Sequence, residues 1–209
     1  MGKVILFAQQ KGGAGKTMLL TQMAVALAAS GRQVAIIDLD PQRSAAEWYE
    51  VREKSGRSGA TLIESANWRA AADIQTSARE ADLTLIDSPG TAEVLRRVAL
   101  RAADHCIVPC QPSAADVWAC RHTLELIEGE GKPHTVVLNR VPPRSNAADA
   151  AAAELAGMGA PVATTSLGSR SAFAEAFMSG AGVTEIAART KAATEVNALI
   201  AELGGVLQG

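Results

Sequence analysis

Cysteine is scarce in this chain, and the little there is has no metal-binding spacing. Among the 209 residues there are three, Cys106, Cys110 and Cys120, with no C-x-x-C pair. Cys106 and Cys110 fall in the apolar stretch Cys106-Ile107-Val108-Pro109-Cys110, where a buried free thiol is expected. No apolar run approaches the ~20 residues of a membrane span. Charge of one sign is also missing. The net charge is −2, so contact with a polyanion has to come from local basic patches. Met1-Gly2-Lys3 leads straight into the first apolar stretch. That leaves no room for a secretory leader, and no N-terminal helix-turn-helix is expected to read an operator. The expected compartment is cytoplasmic.

What is present is ordinary for a globular chain: 48% hydrophobic and 20% charged residues, at a length that suits one α/β domain with its own core. Apolar stretches alternate with helical patterns. Strands are expected near 3–8, 33–38, 60–64, 82–87, 104–109, 134–139 and 161–165. Helices are expected near 16–30, 44–55, 68–80, 92–103, 114–129, 146–157, 169–178 and 185–204. Continuous apolar strands separated by helices predict a doubly wound, mostly parallel sheet with helices on both faces. Gly31 and Gly131 mark helix ends, and Ser113 and Asn146 suit N-caps. One domain over 1–209 is expected.

The first strand runs into Gln10-Lys11-Gly12-Gly13-Ala14-Gly15-Lys16-Thr17, and a helical pattern follows from Met18. Strand, glycine loop and helix form the setting of a phosphate-binding P-loop. Glycines let successive N–H groups turn toward phosphate oxygens, and the helix N-terminus adds partial positive charge. Lys16 is expected on the terminal phosphates and the Thr17 hydroxyl on Mg²⁺. Gln10 replaces the usual first glycine, and Lys11 adds a second lysine. From the opposite limb Lys11 can reach phosphates held by a facing subunit, as a finger supplied in trans. Met18 can offer only its N–H to the α-phosphate.

Two further motifs end strands, where ligands of open α/β sheets bind. Asp38 and Asp40 in Ile36-Ile37-Asp38-Leu39-Asp40-Pro41 project to one side if the strand extends that far. One carboxylate could serve the metal's water shell and the other the attacking water. Asp87, in Leu85-Ile86-Asp87-Ser88-Pro89-Gly90, reads as a Walker B aspartate contacting Mg²⁺ through water. Ser88-Pro89-Gly90 would respond to the γ-phosphate. Helix caps and turns are the plain alternative for all three aspartates. Asn139 ends the sixth strand. It offers either an adenine-reading amide or a simple turn residue. An N-K-x-D guanine motif is absent, which favours ATP over GTP.

Taken together these residues resemble the deviant Walker A ATPases of the ParA/MinD group, most of all its short ParA-type (ParF-like) partition members. Lys11-Gly12-Gly13-Ala14-Gly15-Lys16-Thr17 matches the signature, and the likeness runs over nearly the whole chain. The resemblance implies a weak, partner-stimulated ATPase that uses ATP and Mg²⁺ and closes into a homodimer with ATP. Lys11, Lys16 and Asp40 would be catalytic. Gly12, Gly13, Ala14, Gly15, Lys16, Thr17, Met18 and Asn139 would bind nucleotide. Thr17, Asp38 and Asp87 would face the metal. It further implies nonspecific DNA binding, nucleoid association and a ParB-like or centromere-binding adaptor. Plasmid, chromosome or protein cargo would be partitioned or positioned. Arg170 is the first candidate DNA contact, followed by Arg140, Arg144, Arg189 and Lys191.

A MinD-like membrane cycle is the alternative. It is disfavoured because the segment from Val183 carries two basic residues against three acidic ones, and a membrane-surface helix should be basic. A redox relative of the nitrogenase iron protein would need cysteines that this chain lacks between Thr17 and Asp87. A scaffold that binds ATP without hydrolysing it is a further reading.

Overall fold

In the computed structural model, residues 1–65, 68–90, 92–144 and 146–208 are described. The first half alternates strictly: β1 Lys3–Phe7, α1 Lys16–Ala29, β2 Val34–Asp38, α2 Ser44–Lys54, β3 Ala60–Glu64, α3 Ala70–Glu80, β4 Leu83–Asp87 and α4 Glu93–Ala102. The second half contains β5 His105–Cys110, α5 Ala114–Gly129, β6 His134–Leu138, α6 Ala147–Gly157, α7 Ser171–Met178, α8 Val183–Ile186, α9 Lys191–Glu202 and α10 Gly204–Leu207.

Every strand pairing is parallel, in the order β3-β2-β4-β1-β5-β6. The two-residue period of the strands divides the core. Ile5, Phe7, Ile36 and Leu85 enter a cluster with Leu20, Met23, Trp48, Phe173, Val196 and Leu199. Val4, Leu6, Ile37 and Ile86 enter the opposite cluster, with Ile74, Leu95, Val117, Leu124 and Leu155. Each large aliphatic buried this way contributes about 1.5–3 kcal/mol, so both helical layers are held to the sheet by alternate residues of the same strands.

Two expectations need correction. The stretch 161–165 is not a seventh strand. It meets the sheet only through the isolated parallel bridge Val136↔Val162, in which Val136 N–H donates to Pro161 O and Ala163 N–H to Val136 O, both at 2.8 Å, because Thr164 and Thr165 then turn away to another partner. The Thr164 and Thr165 N–H groups donate to the Glu202 carboxylate (2.7 and 2.8 Å). The tail is also not one helix over 185–204. It breaks after α8, and Thr190 restarts it as a side-chain N-cap for α9, accepting from Ala193 N–H at 3.4 Å. Ser113 caps α5 as expected, whereas Asn146 makes no side-chain cap for α6. Gly31 and Gly131 have the left-handed backbone (φ 90° and 66°) that ends a helix.

One buried cation joins α2 to the α7–α8 corner. Arg52 is 1% exposed and stacks on the Trp48 ring. Its guanidinium donates to Gly180 O at 3.0 Å, to both Glu185 oxygens at 3.0 and 2.8 Å, and to Ser58 O. Burial alone would raise the Glu185 carboxyl. The Arg52 hydrogen bonds, the Gly182 N–H and the nearby guanidinium charges outweigh it and hold Glu185 below its usual range.

Removing the carboxylate leaves a buried charge with carbonyls alone, so Glu185→Ala is expected to cost about 3 kcal/mol in denaturant unfolding. A depressed folded pKa gives stability that is complete above the ordinary glutamate value and lost as pH falls through the folded one. The gap between parent and variant should therefore narrow in acid. An equal gap at pH 7 and pH 3 would contradict this role.

Candidate nucleotide site

The sheet register sets the site. In it Phe7, Asp87 and Asp38 are lateral neighbours at the carboxyl ends of β1, β4 and β2. Three connections therefore start from one line, and the glycine loop folds over it. Gly13 and Gly15 take φ values of 81° and 94°, which only glycine adopts at low cost. At Gly15 a Cβ would also lie 2.3 Å from Asn139 Nδ2.

The loop's carbonyls are tethered from outside. Gly13 O accepts from Gln111 Nε2 at 2.8 Å, and Ala14 O from Asn139 Nδ2 at 2.9 Å. With carbonyls held on one side, the loop's N–H groups are left for the other. The first backbone bond of α1 runs from Leu19 N–H to Gly15 O at 2.9 Å, so the N–H groups of Lys16, Thr17 and Met18 are free of the helix ladder. Gly12, Gly13, Gly15, Lys16, Thr17, Met18 and Asp40 line a cavity of about 820 Å³. That is room for a nucleotide, and the exposed helix end suits an anion.

Thr17 Oγ1 donates to Asp87 Oδ2 at 2.6 Å, joining the loop to β4 across 70 residues. Asp87 is fully buried, and its Oδ1 has no partner among the described residues. Burial pushes its carboxyl up to about 7. The Thr17 hydrogen bond and Lys16 oppose the rise, while Asp38 and Asp40 add to it. A hydroxyl and an unpartnered carboxylate oxygen, in a place short of positive charge, are the hard oxygen donors that suit Mg²⁺.

The other expected residues fall into three groups. Asp38 is buried and its oxygens are engaged, accepting from Asp40 N–H at 2.9 Å and Ala46 N–H at 3.0 Å. Burial raises it, and those N–H groups oppose the rise. It shapes the β2–α2 connection, while Asp40, partly exposed, faces the cavity and accepts Gln42 N–H at 3.0 Å. Asn139 is wholly buried. Nδ2 holds Ala14 and Oδ1 accepts Arg140 N–H at 2.9 Å, so its amide braces the loop. Arg170 lines the cavity, but its charge is committed. Nε donates to Glu195 Oε2 at 2.9 Å, and Nη2 pairs with Oε1. Arg140, Arg144, Arg189 and Lys191 are exposed.

Lys11 bends back onto its own subunit. Its Nζ lies 2.9 Å from Asp116 Oδ2 in the first turn of α5, and Ser113 Oγ donates to the same oxygen. The limb beneath is fixed by Gln9, whose Oε1 accepts from Thr123 Oγ1 at 2.9 Å and Lys11 N–H at 3.3 Å. Asp116, Thr123 and Gln111 escaped the sequence reading. Ser113-x-x-Asp116 reads only as a capping pattern, and nothing local links it to a lysine 105 positions earlier. The cavity wall formed by Phe173, Phe177 and Met178 was likewise unmarked.

A parallel sheet with a lysine-bearing phosphate loop and a buried carboxylate at adjacent strand ends defines a P-loop nucleotide-hydrolysing protein. Residues 5–183 match the CobQ/CobB/MinD/ParA nucleotide binding domain, and the chain belongs to that ParA/MinD family of ATPases. It is 29% identical over 203 residues to maintenance of carboxysome distribution protein A of Halothiobacillus neapolitanus, covering 94% of both chains. It is 28% identical over 185 residues to protein ParA of Rhizobium radiobacter, covering 85% of this chain and 83% of that one. Among solved structures, apo McdA of Cyanothece superposes with a TM-score of 0.80 at 18% identity, over 97% of this chain and 100% of that one. The cell division ATPase MinD of Pyrococcus furiosus gives 0.82 at 18% identity, over 99% and 100%.

Lys16 is 8% exposed at the start of α1 and lines the cavity. Lys16→Ala is expected to weaken ATP binding at least about 100-fold, near 2.7 kcal/mol, in calorimetric titration. Parent-like affinity would remove Lys16 from the site.

Proposed function

We propose that this chain is a dimerising ATPase that partitions or positions a cargo along nonspecific DNA. The observation carrying the nucleotide chemistry is the Thr17–Asp87 hydrogen bond beside the unpartnered Asp87 Oδ1. Relatives named for ParA and for carboxysome distribution, aligned over most of their length, support the positioning role.

In this reading the N–H groups of Gly12 to Met18 cradle the phosphates, and Lys16 neutralises the terminal pair. Bound Mg²⁺, facing Thr17 and Asp87, would supply charge neutralisation at the phosphates. Asp40 orients the attacking water, and Asp38 holds the connection that presents Asp40. Lys11 leaves Asp116 to reach the phosphates of a second copy. Met178, which lines the cavity, is 80% exposed, an apolar side chain for that copy to cover. Hydrolysis is slow alone and is stimulated by a ParB-like adaptor, and the ATP dimer is nucleoid-associated. DNA phosphates would meet Arg140, Arg144, Arg189 and Lys191, and Arg170 joins them only by giving up Glu195. The membrane alternative is weakened by the tail. Ala192, Ala193, Val196 and Leu199 of α9 are buried in the core, which uses the face a membrane would need.

Duplex-DNA binding with ADP and with ATP across a salt series tests this, with Asp40→Ala holding the ATP state. Binding expected only with ATP should weaken linearly in log salt. Absence of binding in both states would reject the DNA reading. A second expectation concerns Lys11. Asp116→Asn removes its ionic partner, so the ATP dimer should form at about 3–10-fold lower protein concentration. An unchanged midpoint in sedimentation would refute that restraint.

A further inference from the structure

Helix α4 carries three arginines with different partners. Arg97 pairs with Glu93 at 3.4 Å and approaches Glu130 at 4.0 Å, and Arg101 pairs with Glu130 at 3.1 Å. Arg96 instead donates from Nη1 to the carbonyl oxygen of Gly90 at 3.0 Å. Gly90 lies against the phosphate loop, where a Cβ would sit 3.2 Å from Gln10 O. Ser88 anchors the same segment to β1, donating from Oγ to Phe7 O at 2.8 Å. The segment that follows Asp87 is therefore hydrogen-bonded at two places, to β1 and, through Arg96, to α4, and it lies close against the loop. The stem of Arg96 also lines a groove of about 230 Å³ between α4 and α5, beside Leu100, Leu126 and Gly129.

We infer that Arg96 is a positioning residue that couples the Gly90 segment to helix α4, so that a nucleotide-driven shift of Gly90 moves α4 and reshapes the α4–α5 groove. The inference rests on the ATP-binding reading of the cavity. Gly90 touches the loop that would close on phosphate, and it cannot shift without breaking or dragging the guanidinium bond. Arg97 and Arg101, tied to carboxylates on the outer surface, hold the rest of the helix to α5's end and have no such link.

Hydrogen exchange of the full chain, with and without Mg²⁺ and a non-hydrolysable ATP analogue, tests the coupling in the parent, Arg96→Ala, Arg96→Lys and Arg97→Ala. In the parent, the analogue should change exchange in the phosphate loop, in Ser88–Gly90 and in α4. In Arg96→Ala, the phosphate loop should be protected as in the parent, while the α4 response falls at least about threefold. Arg96→Lys should restore part of it, and Arg97→Ala should behave as the parent. Turnover in Arg96→Ala should show a lowered kcat at unchanged KM. A parent-like α4 response in Arg96→Ala, or an equal loss in Arg97→Ala, overturns the inference. Should Arg96→Ala fail to fold, the comparison of Arg96→Lys with the parent decides, and an undiminished response with unchanged kcat rejects it. A parent whose phosphate loop gains no protection would instead overturn the nucleotide reading beneath it.

Discussion

Everything at the carboxyl edge of this sheet depends on the flush parallel register of β1, β4 and β2. Phe7, Asp87 and Asp38 stand side by side, so the loop after β1 closes over the carboxylate that ends β4. The Thr17–Asp87 hydrogen bond is possible only because that register brings residues 70 positions apart to one point. A one-residue slip would turn Asp87 to the opposite face and place Ile86 or Ser88 beneath Thr17. The two apolar clusters prevent the slip, because each is fed by alternate residues of the same strands.

That edge gathers acid faster than it gathers base. Asp38, Asp40 and Asp87 crowd one end, and Lys16 is the buried cation among them. Backbone N–H groups answer Asp38, a turn N–H answers Asp40, and Asp87 keeps one oxygen unanswered. A site so arranged is electrostatically incomplete without a cation and an anion arriving together, which is what a metal–nucleotide complex brings. The loop is preorganised for it, because Gln111 and Asn139 hold its carbonyls away from the cavity.

Local sequence carried the parts of this fold whose causes are local. Glycines that need positive φ, an apolar run before them and a helix after them fix the phosphate loop. Apolar five-residue stretches ending in aspartate mark β2 and β4. What stayed hidden is decided by long-range pairing. Asn139 was legible as a strand-end amide, but its use as a brace depends on Ala14, 125 positions away. Arg170 was legible as a basic residue, and only the fold brings Glu195 to it. The stretch 161–165 has the composition of a strand, yet Glu202 takes the N–H groups of Thr164 and Thr165 that a ladder would need. The tail has one helical period throughout, and a side-chain cap at Thr190 divides it.

The ion pair between Lys11 and Asp116 has a consequence for dosage. If Lys11 acts on a second copy, an isolated subunit holds ATP while its own finger is parked, and turnover rises with the probability of encounter. Output then depends on local density more steeply than linearly. Dispersed molecules would stay nearly idle, while those crowded on a shared surface would fire. Crowding itself becomes a signal alongside the adaptor, and a concentration gradient would be sharpened toward a boundary.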